Sequence, residues 1–96
     1  MNISKELKKK MNVILKNNKE LKDKILKGDV DAIRQIALMA RKEYINPEYI
    51  VEAYEKNDAK KMEIIYKKAK REVELQKLYR ELCRAYYEEN IIDEER

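Results

Sequence analysis

Apolar residues recur along this chain at intervals of three and four, interrupted by short polar stops, which is the pattern of amphipathic helices. Leu7, Met11, Ile14, Leu21 and Ile25 are spaced four, three, seven and four apart, a heptad-like seam that predicts a first helix from near Ser4 to Lys27. Asn18 falls on that seam. Because the stripe stays in phase across Asn17-Asn18, one continuous helix with a buried, register-fixing Asn is favoured. The alternative is a break in which Asn17 caps a second short helix and Glu20 completes a capping box.

Gly28 follows Lys27 where a helix end wants a left-handed residue. Asp29 then serves as the next N-cap, with Asp31 in the first turn facing the positive end of the helix dipole. A second helix is expected from Val30 to about Tyr44, burying Val30, Ile33, Ile36, Ala37 and Ala40. Asn46-Pro47-Glu48 reads as cap, first-position proline and first-turn acid. It opens a third helix to about Lys56 with Tyr49, Ile50, Ala53 and Tyr54 inward. Asn57-Asp58 is the next stop and start.

The fourth predicted helix runs from Ala59 to about Glu89 without Gly or Pro, roughly 46 Å at 1.5 Å per residue. Its apolar stripe changes sides near Glu74. At 100° per residue, Met62, Ile65, Tyr66, Ala69 and Val73 share one face, and Leu75, Leu78, Tyr79, Leu82 and Tyr86 lie roughly opposite. The first half is expected to cover the second and third helices. The second half must be covered by the first helix, by a second copy of the chain or by another protein.

The fold class that follows is all-α: a small, mostly antiparallel bundle of about four helices with a long C-terminal helix. Residues 1–90 form a single helical domain and 91–96 an acidic tail. Ninety-six residues suffice for one domain. Ile, Leu and Val number 11, 8 and 4, enough for a modest core. Charged residues make up 44% against about a quarter in typical domains, so the apolar stripes must be thin. The lone cysteine, Cys83, rules out an internal disulfide. There is no signal-peptide pattern and no membrane-length apolar run, so a cytoplasmic location and no membrane partner are expected.

Chemistry is sparse. With no His, Ser–His and Cys–His nucleophiles are excluded, as is an imidazole base. No Gly-rich loop is present to cradle phosphate. Asp29-Val30-Asp31 opens like a calcium loop but lacks its later glycine and glutamate. Without Cys/His clusters, zinc has no ligand set. No catalytic, cofactor or metal residue is nominated, and the protein is expected not to be an enzyme. Cys83 reads as a small hydrophobe before it reads as a reactive thiol.

The net charge of +4 is unevenly placed: residues 1–28 carry +6, 29–57 carry −2 and 58–96 are balanced. Lys8, Lys9, Lys60, Lys61, Lys67, Lys68, Lys70 and Arg71 are the candidates for contact with nucleic acid. Ile33-Arg34-Gln35-Ile36-Ala37-Leu38-Met39-Ala40, followed by Asn46-Pro47-Glu48-Tyr49-Ile50-Val51, resembles a helix-turn-helix, which would make the third helix the recognition helix. The connection is several residues too long and the turn glycine is missing. Glu48, Glu52 and Glu55 against Lys56 also give that helix the wrong sign for phosphates.

Tyrosine is the only aromatic used, seven times, and Tyr is enriched at interface centres. The reading favoured by the residues is therefore a binding protein: an adaptor, regulator or stoichiometric inhibitor. Leu75, Leu78, Tyr79, Leu82 and Tyr86 are its candidate interface. The partner is expected to be another protein or nucleoprotein complex, or a second copy in a homodimer through residues 75–86. Nucleic acid ranks second. Short helical chains of this composition are often encoded by phages or mobile elements, where anti-CRISPR-type inhibitors of host defence form one class.

Overall fold

In the computed structural model, which describes residues 3–89, five α-helices follow one another and no strand occurs among those residues: α1 (Lys5–Ile14), α2 (Lys19–Leu26), α3 (Val30–Lys42), α4 (Pro47–Glu55) and α5 (Ala59–Tyr87). The local signals explain the boundaries. Ser4, Asn18, Asp29, Asn46 and Asp58 each cap a helix by accepting a backbone N–H with the side chain. Gly28 ends α2 at φ 84°, where any Cβ would be strained. Asn57 does the same after α4 at φ 51°, a conformation Asn tolerates better than most residues.

The continuous first helix is overturned. The chain breaks after Ile14, and Asn18, exposed and not buried in a seam, caps α2 by accepting the Leu21 N–H at 3.2 Å. Asn17 and a capping box with Glu20 play no part in this cap. The break has a packing cause. α1 lies against α5, whereas α2 lies against α3, so the two segments are directed to different neighbours. Ending α1 early also buries Leu15 at 2% exposure, while Ile14 is left half-buried.

α5 is the spine. α1 and α3 both run antiparallel to it: Lys10 pairs with Glu81 at 2.9 Å while Ile14, further along α1, meets Arg71, and Glu43 after α3 pairs with Lys68 at 3.6 Å while Ile33 and Arg34 near its start lie beside Cys83 and Tyr86. Leu7, Met11 and Leu15 of the α1 segment, Leu21 and Ile25 of α2, and Ala32, Ile33, Ile36 and Ala40 of α3 close over Leu75, Leu78 and Leu82 in one core. These three leucines are each at most 1% exposed. The three leucines nominated as interface residues thus lie in the core of the single chain, which leaves Tyr79 and Tyr86 as the accessible members of that set.

The other half of α5 is the bare one. Of the face expected to cover neighbouring helices, only Ile65 is buried, while Tyr66 is 66% and Val73 49% exposed. α4 packs against α5, and Ala53 is its only buried residue; Tyr54, expected inward, is exposed, as is Val30 on α3. Neither Ala53 nor Ile65 belongs to the main core. A two-helix hairpin thus projects from a packed four-helix body, and the molecule measures 58 × 26 × 21 Å.

Two outcomes are expected. Leu78→Ala removes a fully buried side chain and costs about 3 kcal/mol, whereas Tyr66→Ala stays within about 0.5 kcal/mol; urea unfolding followed by circular dichroism measures both. In native-state hydrogen exchange, α4 amides should open well before those of α3 and residues 75–82 of α5, because fewer buried apolar contacts hold them.

Candidate functional site: the outer groove between α3 and α5

With the leucines turned inward, what remains of the nominated interface is Tyr79 and Tyr86, both half-buried. They lie along the α3–α5 crossing at the edge of the core, packed against it on one side. There the small residues Ala37 and Ala40 let the helices approach closely and form the floor of an open groove of about 560 Å³, walled by Arg41, Tyr44, Tyr79 and Arg80. A smaller hollow of about 190 Å³ shares Tyr79 and extends toward the end of α5 between Ile33, Arg34, Cys83 and Tyr86. The two together make a trough along the helix pair with tyrosines along its length.

Its electrostatics are set by arginine. Arg34 and Arg41 are one heptad apart on α3, about 10.5 Å along the axis; Arg80 of α5 lines the larger groove with Arg41, and Arg34 lines the smaller hollow beside it. All three side chains are exposed. Arg34 makes only a 3.9 Å pair with the equally exposed Asp31. Glu72 is the one acid in the groove wall, and it accepts a hydrogen bond from Gln76 at 3.0 Å. Hydrogen bonding to Cys83 holds the Tyr79 phenol above its ordinary pKa, with the nearby thiol charge and desolvation adding to it, against an opposing pull from Arg34 and Arg41.

The groove does not end at Arg80. At 100° per residue, Tyr66, Ala69, Val73, Gln76 and Arg80 fall within roughly an 80° arc of α5, so the exposed Tyr66 and Val73 continue the same wall onto the hairpin. Sequence reasoning missed Arg34, Arg41, Tyr44 and Arg80 as a group. The available signal was their register: Arg34 and Arg41 flank Ala37 at helical spacing, but only the crossing shows which face of α5 meets them.

The basic candidates are spread over the molecule. Lys8 and Lys9 are exposed on α1; Lys9 lies near Lys77 of α5, which is about 25 Å along the spine from Lys60. Lys60 and Lys70 are exposed. The other four are engaged internally. Lys61 sits 5.4 Å over the Tyr49 ring and 3.7 Å from Glu52; Lys67 pairs with Glu63 at 2.9 Å, and Lys68 with Glu43. Glu52 is held below the ordinary carboxylate range, mainly by its hydrogen bond to Lys56 and then by the charges of Lys56 and Lys61.

Arg71 has a structural duty: its Nη1 donates to the Ile14 carbonyl at 2.8 Å. α1 has no basic residue in its last turn, so Arg71 supplies both a donor and a positive charge to carbonyls that would otherwise lack them.

No group of three or more acidic, Cys or His residues is placed to hold a metal among the described residues, and none of the helices there is long and apolar enough to cross a membrane. Compared with protein-family models, with curated proteins and with solved structures, the chain shows no match. Arg71→Ala should cost about 1–2 kcal/mol through the lost charged hydrogen bond, against about 0.3 kcal/mol for Lys67→Ala on its exposed helical pair, both read from urea midpoints.

Proposed function

We propose that this chain is a non-enzymatic protein-binding protein, an adaptor, regulator or stoichiometric inhibitor, that engages its partner through the outer face of α3 and α5. The observation that supports this reading is the groove in which Tyr44 and Tyr79 stand beside Arg41 and Arg80 over an alanine floor. Tyr and Arg are the residues most enriched where interfaces concentrate their energy. Here they surround a concavity and not a flat face. The exposed apolar side chains of Tyr66 and Val73 lengthen that surface, which gives a partner a centre and a flank.

The arrangement favours docking over chemistry. A groove this open excludes little water, and the polar groups lining it are arginines, tyrosines, one glutamine and one glutamate, with no base placed against a nucleophile.

Capture from a lysate of the source cells tests the proposal, with the intact chain compared with Arg41→Ala/Tyr44→Ala. Both side chains are exposed, so stability should change by less than about 0.5 kcal/mol. The partner retained by the intact chain should be lost from this variant and kept by Lys9→Ala/Lys60→Ala. Equal capture by all three chains removes the groove from the reading.

A further inference from the structure

The charge of the groove specifies its occupant more closely. We propose that the trough between α3 and α5 receives an acidic segment of a partner protein, whose carboxylates lie between Arg34, Arg41 and Arg80 while a neighbouring side chain settles on Ala37 and Ala40. This inference rests on the docking reading above and deepens it.

Three observations carry it. Arg41 and Arg80 form no ion pair with any described residue, and Arg34 is held only by its long contact to Asp31. By contrast, several of the lysines on α4 and α5 are paired with acids of the chain itself. Guanidinium is also the group suited to bidentate capture of a carboxylate, and it does so with rigid geometry. Arg41 and Arg80, finally, come from two helices to one groove, and Arg34 lines the adjoining hollow that shares Tyr79 with it, so one extended segment can meet all three cations.

A nucleic-acid strand is the less suitable anion. It carries a charge on every nucleotide and would have to run past Glu72 inside the groove and Asp31 beside Arg34. A peptide with two or three carboxylates meets the arginines and avoids those acids.

Two-dimensional NMR of the full-length chain, observing arginine Nε–Hε and backbone amides, tests the proposal. The probes are a peptide of three Glu-Glu-Leu-Gly repeats, its Gln-Gln-Leu-Gly counterpart, and oligo-dT. The Glu peptide is expected to shift the side-chain signals of Arg34, Arg41 and Arg80 and the amides of Ala37 and Gln76. The Gln peptide should leave them in place, and Arg41→Ala/Arg80→Ala should weaken the Glu peptide at least about tenfold. Shifts confined to Lys8, Lys9, Lys60 and Lys70 would overturn the proposal, as would equal binding of both peptides or preferential binding of oligo-dT at the groove.

A second arm uses Asp93→Asn/Glu94→Gln/Glu95→Gln. If this variant alone, without peptide, moves the three arginine signals, the occupant is the chain's own acidic segment and the partner assignment fails. Loss of the acidic preference with capture still dependent on Arg41 and Tyr44 would end this inference and leave the docking reading standing.

Discussion

Leu75, Leu78 and Leu82 form one unbroken apolar strip on a helix that is otherwise heavily charged, and burying that strip organises the remainder of the molecule. Each leucine contributes about 2 kcal/mol when taken out of water, which is large against the marginal stability of a small domain. The first half of α5 carries an apolar face of its own, but only Ile65 of it is buried. Three short helices are gathered around the leucine strip, and each contributes two to four side chains to the seal. Everything beyond their reach, including the α4 hairpin and the first half of α5, is held by little more than Ala53, Ile65 and surface ion pairs.

That constraint accounts for the break between α1 and α2. Stopping at Ile14 lets the chain turn, bury Leu15 and send α2 back across α3. The turn costs a helix end, and Arg71 reaches over from α5 to satisfy the Ile14 carbonyl left by it. One of the residues that composition marks as a phosphate contact is thereby committed to holding two helices together.

It also accounts for the place of the candidate site. Sealing the leucines rotates α5 so that Gln76, Tyr79 and Arg80 face outward along α3. Ala37, only half-buried, becomes a floor and not a core residue. Arg41, unremarkable as an exposed helix position, then meets Arg80 across a groove, with Arg34 in the hollow beside it. The site is thus a by-product of the core's orientation: the residues that bury least sit opposite those that bury most.

The helices themselves were legible in the chain. Caps at Asp29, Asn46 and Asp58, the glycine at 28 and the proline at 47 act on their own backbone neighbours, so they need no tertiary partner to be read, and the all-α class follows from them. The change of face near Glu74 was equally visible, since it is a property of one helix. Which of the two faces is buried was not. That depends on where α1 and α3 end, and the in-phase stripe across Asn17-Asn18 pointed to a longer first helix than exists. A stripe records that apolar groups share a side; whether that side meets a neighbour or water is decided by helices distant in sequence, because burial is a property of contacts and not of spacing.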